Sequence, residues 1–114
     1  MIADCPAPYV VDGDSVNCGE EKLRQLGIDA PEYRCPKWRV CAPGDPEASK
    51  RSLQQGMRVG RFTYRVVSVD RYGRKIVVAY AGRTNLACWQ LDRRQAVYVG
   101  RWDNGGLTAR ECGR

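Results

Sequence analysis

Histidine is absent from this 114-residue chain, and the absence removes a good deal of chemistry. There is no Ser-His-Asp triad, no His-based metal nuclease site and no His acid/base pair of the ribonuclease kind. Also absent is any apolar run near the roughly 20 residues needed to span a bilayer, so no membrane partner is expected. No basic n-region and no apolar h-region precede Cys5, so no signal peptide is visible. Cys-x-x-Cys knuckles are missing too, and zinc, which favours them or Cys with His, is disfavoured. Any hydrolysis must run on carboxylates, arginines and a hard metal ion.

Cysteine, in contrast, is plentiful: Cys5, Cys18, Cys35, Cys41, Cys88 and Cys112. An even number in so short a chain reads as a disulfide framework made in an oxidising compartment. A mature secreted or periplasmic protein, its signal already removed, is therefore expected. Six cysteines allow about 15 pairings, and sequence alone does not choose among them. The expected set is local. Cys5 and Cys18 flank the turn signal Asp12-Gly13 almost symmetrically, Cys35 and Cys41 bracket a Pro-containing loop, and Cys88 is left for Cys112.

The net charge is +6, and 15 of the 19 basic residues are arginine, whose planar fork suits phosphate. A basic surface favours polyanions through counterion release. The distribution says more than the total. Residues 1–32 carry a net −5 and residues 33–114 a net +11, an acidic island that could hold a cation against a bound polyanion. The length fits one domain over residues 1–114.

Along the chain, Pro8 to Asn17 reads as extended, broken at Asp12-Gly13-Asp14. Lys22 to Ile28 alternates as a strand, with Arg24 on an otherwise apolar face, and Pro31 ends it. Residues 33–45 form a loop. Asp45-Pro46-Glu47 is a helix start, with the helix running to about Gln55. Arg61–Val69 and Arg74–Ala81 form a hairpin about Asp70-Arg71-Tyr72-Gly73, with Ile76, Val78 and Tyr80 in step. Thr84 or Asn85 caps a second helix over Leu86–Arg94, Ala96–Val99 is extended, and the tail from Asp103 has loop chemistry. The expected fold is α+β, mainly β: a five-stranded barrel of the OB type with two or three helices.

Four pieces carry chemistry: Asp12-Gly13-Asp14, Arg24, Asp29-Ala30-Pro31-Glu32 and Asp70-Arg71-Tyr72-Gly73-Arg74. Singly, each is as well explained by a turn, a structural ion pair, a strand end or an ordinary hairpin. Together, in this order and spacing, they resemble the staphylococcal-nuclease (thermonuclease) family. The stretch VVDGDSVNCGEEKLRQLGIDAPE, Val10 to Glu32, is similar to its DGDT-type turn followed by R-L-x-G-I-D-A-P-E. VDRYGRKIVVAY, Val69 to Tyr80, is similar to its D-x-Y-G-R hairpin. The resemblance covers about residues 8 to 100.

The resemblance implies a Ca²⁺-dependent, sugar-nonspecific nuclease acting on DNA and RNA as a monomer and leaving 3′-phosphate ends. Asp14 and Asp29 would be metal ligands through carboxylate oxygens, with the Ala30 carbonyl as a further ligand. Glu32 would orient or deprotonate the attacking water. Arg24 and Arg74 would grip the phosphate and stabilise transition-state charge. Tyr72 and Tyr98 would line the nucleotide pocket, and Asp12 and Asp70 would support the site. The chemistry is coherent: Ca²⁺ takes hard oxygen ligands and acts as a Lewis acid on a phosphoryl group, while arginines supply preorganised positive charge.

The chain departs from the family pattern in three places. Ser15 stands where threonine is usual, Ala30 where the best-known member has threonine, and the long C-terminal helix is missing or cut to residues 106–114. Two other classes compete. A non-catalytic nucleic-acid-binding module would keep the barrel and lose the site, but Asp14, Arg24, Asp29, Glu32 and Arg74 are all present. A disulfide-rich toxin or inhibitor would explain the cysteines and not the acid–arginine set.

Overall fold

Turn residues cut the first quarter of the chain into short strands. In the computed structural model, which describes residues 1–114, β1 (Ala3–Asp4), β2 (Tyr9–Asp12), β3 (Ser15–Cys18) and β4 (Glu21–Gln25) follow one another closely. The alternation through Ile28 predicts a longer β4. Instead the strand stops at Gln25, Gly27 turns with φ of 78°, and the chain resumes as β5 (Ile28–Asp29). A positive φ is a conformation glycine adopts at little cost.

The helix starts follow capping chemistry. Asp45 accepts a hydrogen bond from the Glu47 N–H at 3.0 Å, and Pro46 opens α1 (Pro46–Gly56), where its missing donor costs nothing. Asn85 Oδ1 accepts from the N–H groups of Ala87 and Cys88 and starts α2 (Leu86–Asp92). The side-chain acceptor satisfies donors that have no partner within the helix. Between the helices lie β6 (Phe62–Val69), β7 (Lys75–Ala81) and the short β8 (Thr84–Asn85). β9 (Val97–Tyr98) and α3 (Leu107–Glu111) complete the chain.

The result is a mixed α+β fold. The main sheet has the order β1-β6-β7-β4-β3-β2, with β8 on β7, and β5 pairs separately with β9. β4 runs parallel to β7, while the other ladders are antiparallel. No ladder joins β1 to β2, so the order is open at both ends. The N-terminal strand β1, which the sequence does not announce, pairs with β6.

Apolar side chains of β2, β3, β4, β6 and β7 pack against Leu53 of α1 and Leu86 of α2. β7 faces this core with Val77, Ala79 and Ala81, the opposite phase to the Ile76, Val78 and Tyr80 set singled out in the sequence. A second cluster, Ile28, Ala30, Ala87, Leu91 and Ala96, lies beneath β5 and β9.

All three expected disulfides are formed, Cys5–Cys18, Cys35–Cys41 and Cys88–Cys112, and no cysteine is free. The tail is more ordered than loop chemistry suggests. Asp103 accepts from the N–H groups of Thr108 and Ala109 and from the Tyr98 hydroxyl. Thr108 Oγ1 donates to the Leu26 carbonyl at 2.8 Å, which docks α3 beside the Gly27 break. No helix is long and apolar enough to cross a membrane.

Candidate active site and its cleft

The Asp12-Gly13-Asp14 turn joins β2 to β3 and is fixed from behind. Gln90, fully buried on α2, donates through its amide nitrogen to the Gly13 carbonyl at 2.8 Å and to the Ser49 carbonyl at 2.9 Å. Asp12 Oδ1 accepts weakly from the Asp14 N–H. Asp14 is itself buried. Its Oδ1 accepts from Ser15 Oγ at 2.9 Å and its Oδ2 from the Ala30 N–H at 2.8 Å. The Ser15 hydroxyl thus ties down the Asp14 carboxylate.

Arg24 projects from β4 into this acidic corner. Its Nη1 lies 3.3 Å from Asp14 Oδ2, and its Nη2 lies 3.5 Å from Asp29 Oδ1 and 3.4 Å from the Ile28 carbonyl. One planar guanidinium therefore spans two carboxylates that are 15 residues apart in sequence. Burial raises the Asp14 pKa to about 6, and the Arg24 charge opposes the shift without cancelling it. Desolvation disfavours the charged form of a carboxyl, and the neighbouring Asp12 adds to the shift.

A second arginine continues the chain of charges, and sequence reasoning did not single it out. Arg39, in the loop between β5 and α1, places Nη2 3.1 Å from Asp29 Oδ2 and Nη1 3.0 Å from Glu32 Oε1. Acids and arginines alternate from Asp14 through Arg24, Asp29 and Arg39 to Glu32. Asp14 and Asp29 with the Ala30 carbonyl, the ligands expected from the sequence, offer hard oxygens of the kind a divalent cation takes. No three acidic side chains converge closely enough to hold an ion as they stand.

The β6–β7 turn supplies the facing wall. Asp70 Oδ1 accepts from the N–H groups of Tyr72 and Arg74, and Asp70 Oδ2 accepts from Arg74 Nε at 2.7 Å. Burial pushes the Asp70 carboxyl up, but these hydrogen bonds and the Arg74 charge outweigh it and hold the pKa below its usual value. Arg71 and Arg74 both lie against the Tyr72 ring, 5.0 and 5.8 Å from its centre.

These elements enclose an open cleft of about 1170 Å³. Arg24, Asp29, Arg39, Tyr72 and Arg74 all line it, with Arg71 and Arg101 adding positive charge. Asp14 and Ala30 lie buried behind Arg24, and Glu32 stands outside the lining, tied to Arg39. Tyr98 is not brought to this cleft. Its neighbours Val97 and Val99 line the wall, and strand alternation turns Tyr98 to the other face, where its hydroxyl donates to Asp103 at 2.6 Å. Trp102 lines the cleft in that region, its ring 5.2 Å from the Arg24 guanidinium carbon. Neither Trp102 nor Arg39 carries a motif signal. The chain matches no protein-family model and no curated protein.

Proposed function

We propose that this chain is a Ca²⁺-dependent, sugar-nonspecific nuclease of the thermonuclease type, built on an OB-like barrel, monomeric, secreted or periplasmic, and acting on DNA and RNA. The carrying observation is that Arg24, linked to both Asp14 and Asp29, shares one arginine-lined cleft with Arg74. Elements far apart in sequence meet there, and the cleft presents guanidinium groups of the kind that bind phosphate.

In this reading Asp14, Asp29 and the Ala30 carbonyl hold the metal, which when bound supplies Lewis-acid polarisation of the phosphoryl group. Arg24 and Arg74 bind the phosphate oxygens and stabilise the charge that grows on them. Arg24 is steadied by Trp102, and Arg74 by Asp70 through Nε, which leaves the terminal nitrogens of Arg74 for substrate. Glu32 takes the proton of the attacking water as phosphorus is attacked, and the 5′ oxygen leaves and takes a proton from solvent water, giving a 5′-hydroxyl and a 3′-phosphate end. Tyr72 packs against the nucleotide beside Arg71 and Arg74.

A binding module without catalysis is the second reading, favoured by one observation. Asp14, Asp29 and Glu32 are each paired with arginine, so the cleft could grip a polyanion with no metal. Glu32→Gln and Asp14→Asn separate the two readings. The nuclease predicts that Glu32→Gln keeps Ca²⁺ and nucleotide bisphosphate binding by calorimetry, while cleavage falls about 10²- to 10⁴-fold. It predicts that Asp14→Asn loses Ca²⁺ affinity and cleavage together. A Glu32→Gln variant cleaving at the wild-type rate removes the catalytic assignment.

A further inference from the structure

The loop carrying Arg39 is built inside out. Trp38 is 81% exposed and Val40 96% exposed, whereas the Arg39 side chain between them is only 24% exposed and turns inward onto Asp29 and Glu32. An arginine free to be solvated would normally take the outside, with its apolar neighbours within. The Cys35–Cys41 disulfide closes the loop around it, and Cys41 Sγ lies 3.7 Å from Glu32 Oε2. The Arg39 N–H donates to the Pro36 carbonyl, which holds the turn within that ring.

Resting on the metal-site reading above, we propose that Arg39 is a resident counter-cation of the acidic corner. It occupies the carboxylates when metal is absent, and a divalent cation must displace it. Arg39 Nη2 stands 3.1 Å from Asp29 Oδ2, so a Ca²⁺ held within about 2.3–2.6 Å of that oxygen would face the guanidinium charge at short range, and the two cations repel. The disulfide makes the competition intramolecular. By holding Arg39 next to the acids it sets a high effective concentration of the competing charge. Removing the Cys35–Cys41 link lowers that concentration, so cation affinity depends on the loop being closed. Trp38, Arg39, Val40 and Cys41 also line the cleft, so exchange of the cation reshapes the wall that faces substrate.

The test is calorimetric titration of Ca²⁺ alone, without nucleic acid, into wild type, Arg39→Ala, Arg39→Lys and the Cys35→Ser/Cys41→Ser double variant. Circular dichroism checks the fold of each. Arg39 makes two charge-assisted hydrogen bonds in a partly exposed setting, and removing this competitor should tighten Ca²⁺ about 5- to 100-fold. Arg39→Lys keeps the charge without the fork and falls between wild type and Arg39→Ala. The double cysteine variant shifts the same way by less. Wild type binding Ca²⁺ as tightly as Arg39→Ala, or more tightly, overturns the counter-cation role and leaves the nuclease reading standing. Absence of Ca²⁺ binding in every variant overturns the metal-site reading and this proposal with it.

Discussion

Gly13→Ala is a small change with a large predicted effect. Gly13 does not have a left-handed backbone, so conformational freedom is not what the position requires. Space is. A Cβ built there would stand 1.8 Å from Ser49 Oγ, 2.8 Å from Ser49 Cβ and 2.8 Å from the Ala30 Cβ. None of the three can swing clear. Ser49 is fully buried in α1 and its Oγ donates to the Gln95 carbonyl at 2.6 Å, while Ala30 has no rotamer to change. The turn must move away from α1, straining the Gln90 bond to the Gly13 carbonyl. Inserting one carbon into so tight a contact costs about 1–3 kcal/mol. For a domain of this size that lowers the Tm by roughly 4–12 °C. Because Asp14 is the next residue, Ca²⁺ affinity should weaken as well. Urea and thermal unfolding measure the first effect and calorimetry the second. Ser49→Gly removes two of the three clashes and should recover part of the loss in the double variant, a coupling of about 1 kcal/mol or more. A Gly13→Ala protein as stable as wild type would show that α1 and the turn are not packed as described.

Other expectations follow from the same geometry. Asp14 titrates at about 6 in the folded protein against an ordinary 3.8. Its contribution to stability is therefore present below pH 3.8 and lost as pH rises through about 6, an effect on the order of 3 kcal/mol at most. The difference in unfolding free energy between metal-free wild type and Asp14→Asn, followed from pH 3.5 to 7.5, should fall for wild type across that window; a flat difference counts against a desolvated Asp14. Arg24→Lys keeps the charge but cannot span both Asp14 and Asp29. It should cut cleavage by about 10²- to 10³-fold with an unchanged circular dichroism spectrum, and near wild-type turnover in both Arg24→Lys and Arg74→Lys would refute the phosphate role. Mass spectrometry of the unreduced protein should find three disulfides and no thiol. Removing Cys88–Cys112, which spans 24 residues, should cost about 3 kcal/mol in urea unfolding, and a negligible loss would mean α3 holds without it.

Local chemistry was legible in the sequence. Asp45-Pro46 and Asn85 start their helices where capping rules place them, because a cap is satisfied within three residues. The Asp70–Arg74 turn was also visible, whereas the cysteine pairing was left open by the sequence, with Cys88 falling to Cys112 by remainder. Features that depend on tertiary contact were less legible. Residues 76–81 of β7 are apolar throughout, so alternation could not say that Val77, Ala79 and Ala81 face the core. Gly27 breaks β4 to make room for Asp103 and Thr108, which lie some 80 residues on. Among the candidate residues, the fold brings Asp14, Arg24 and Asp29 into contact and puts Arg24, Asp29, Tyr72 and Arg74 on one cleft. It turns Tyr98 away to Asp103. Arg39 sits in a loop without periodicity, and nothing in its neighbours distinguishes it from the other arginines until the fold sets Asp29 beside it.

The activity proposed for this acid–arginine corner is phosphodiester hydrolysis with Ca²⁺. The most direct measurement incubates the purified, disulfide-intact protein with single-stranded DNA and with RNA, in Ca²⁺ and in EGTA, and assigns the new ends chemically. Cleavage of both polymers is expected in Ca²⁺ and none in EGTA, with 3′-phosphate ends throughout. Full activity in EGTA, or no cleavage under any metal condition while the cleft still binds the strands, would contradict the proposed activity.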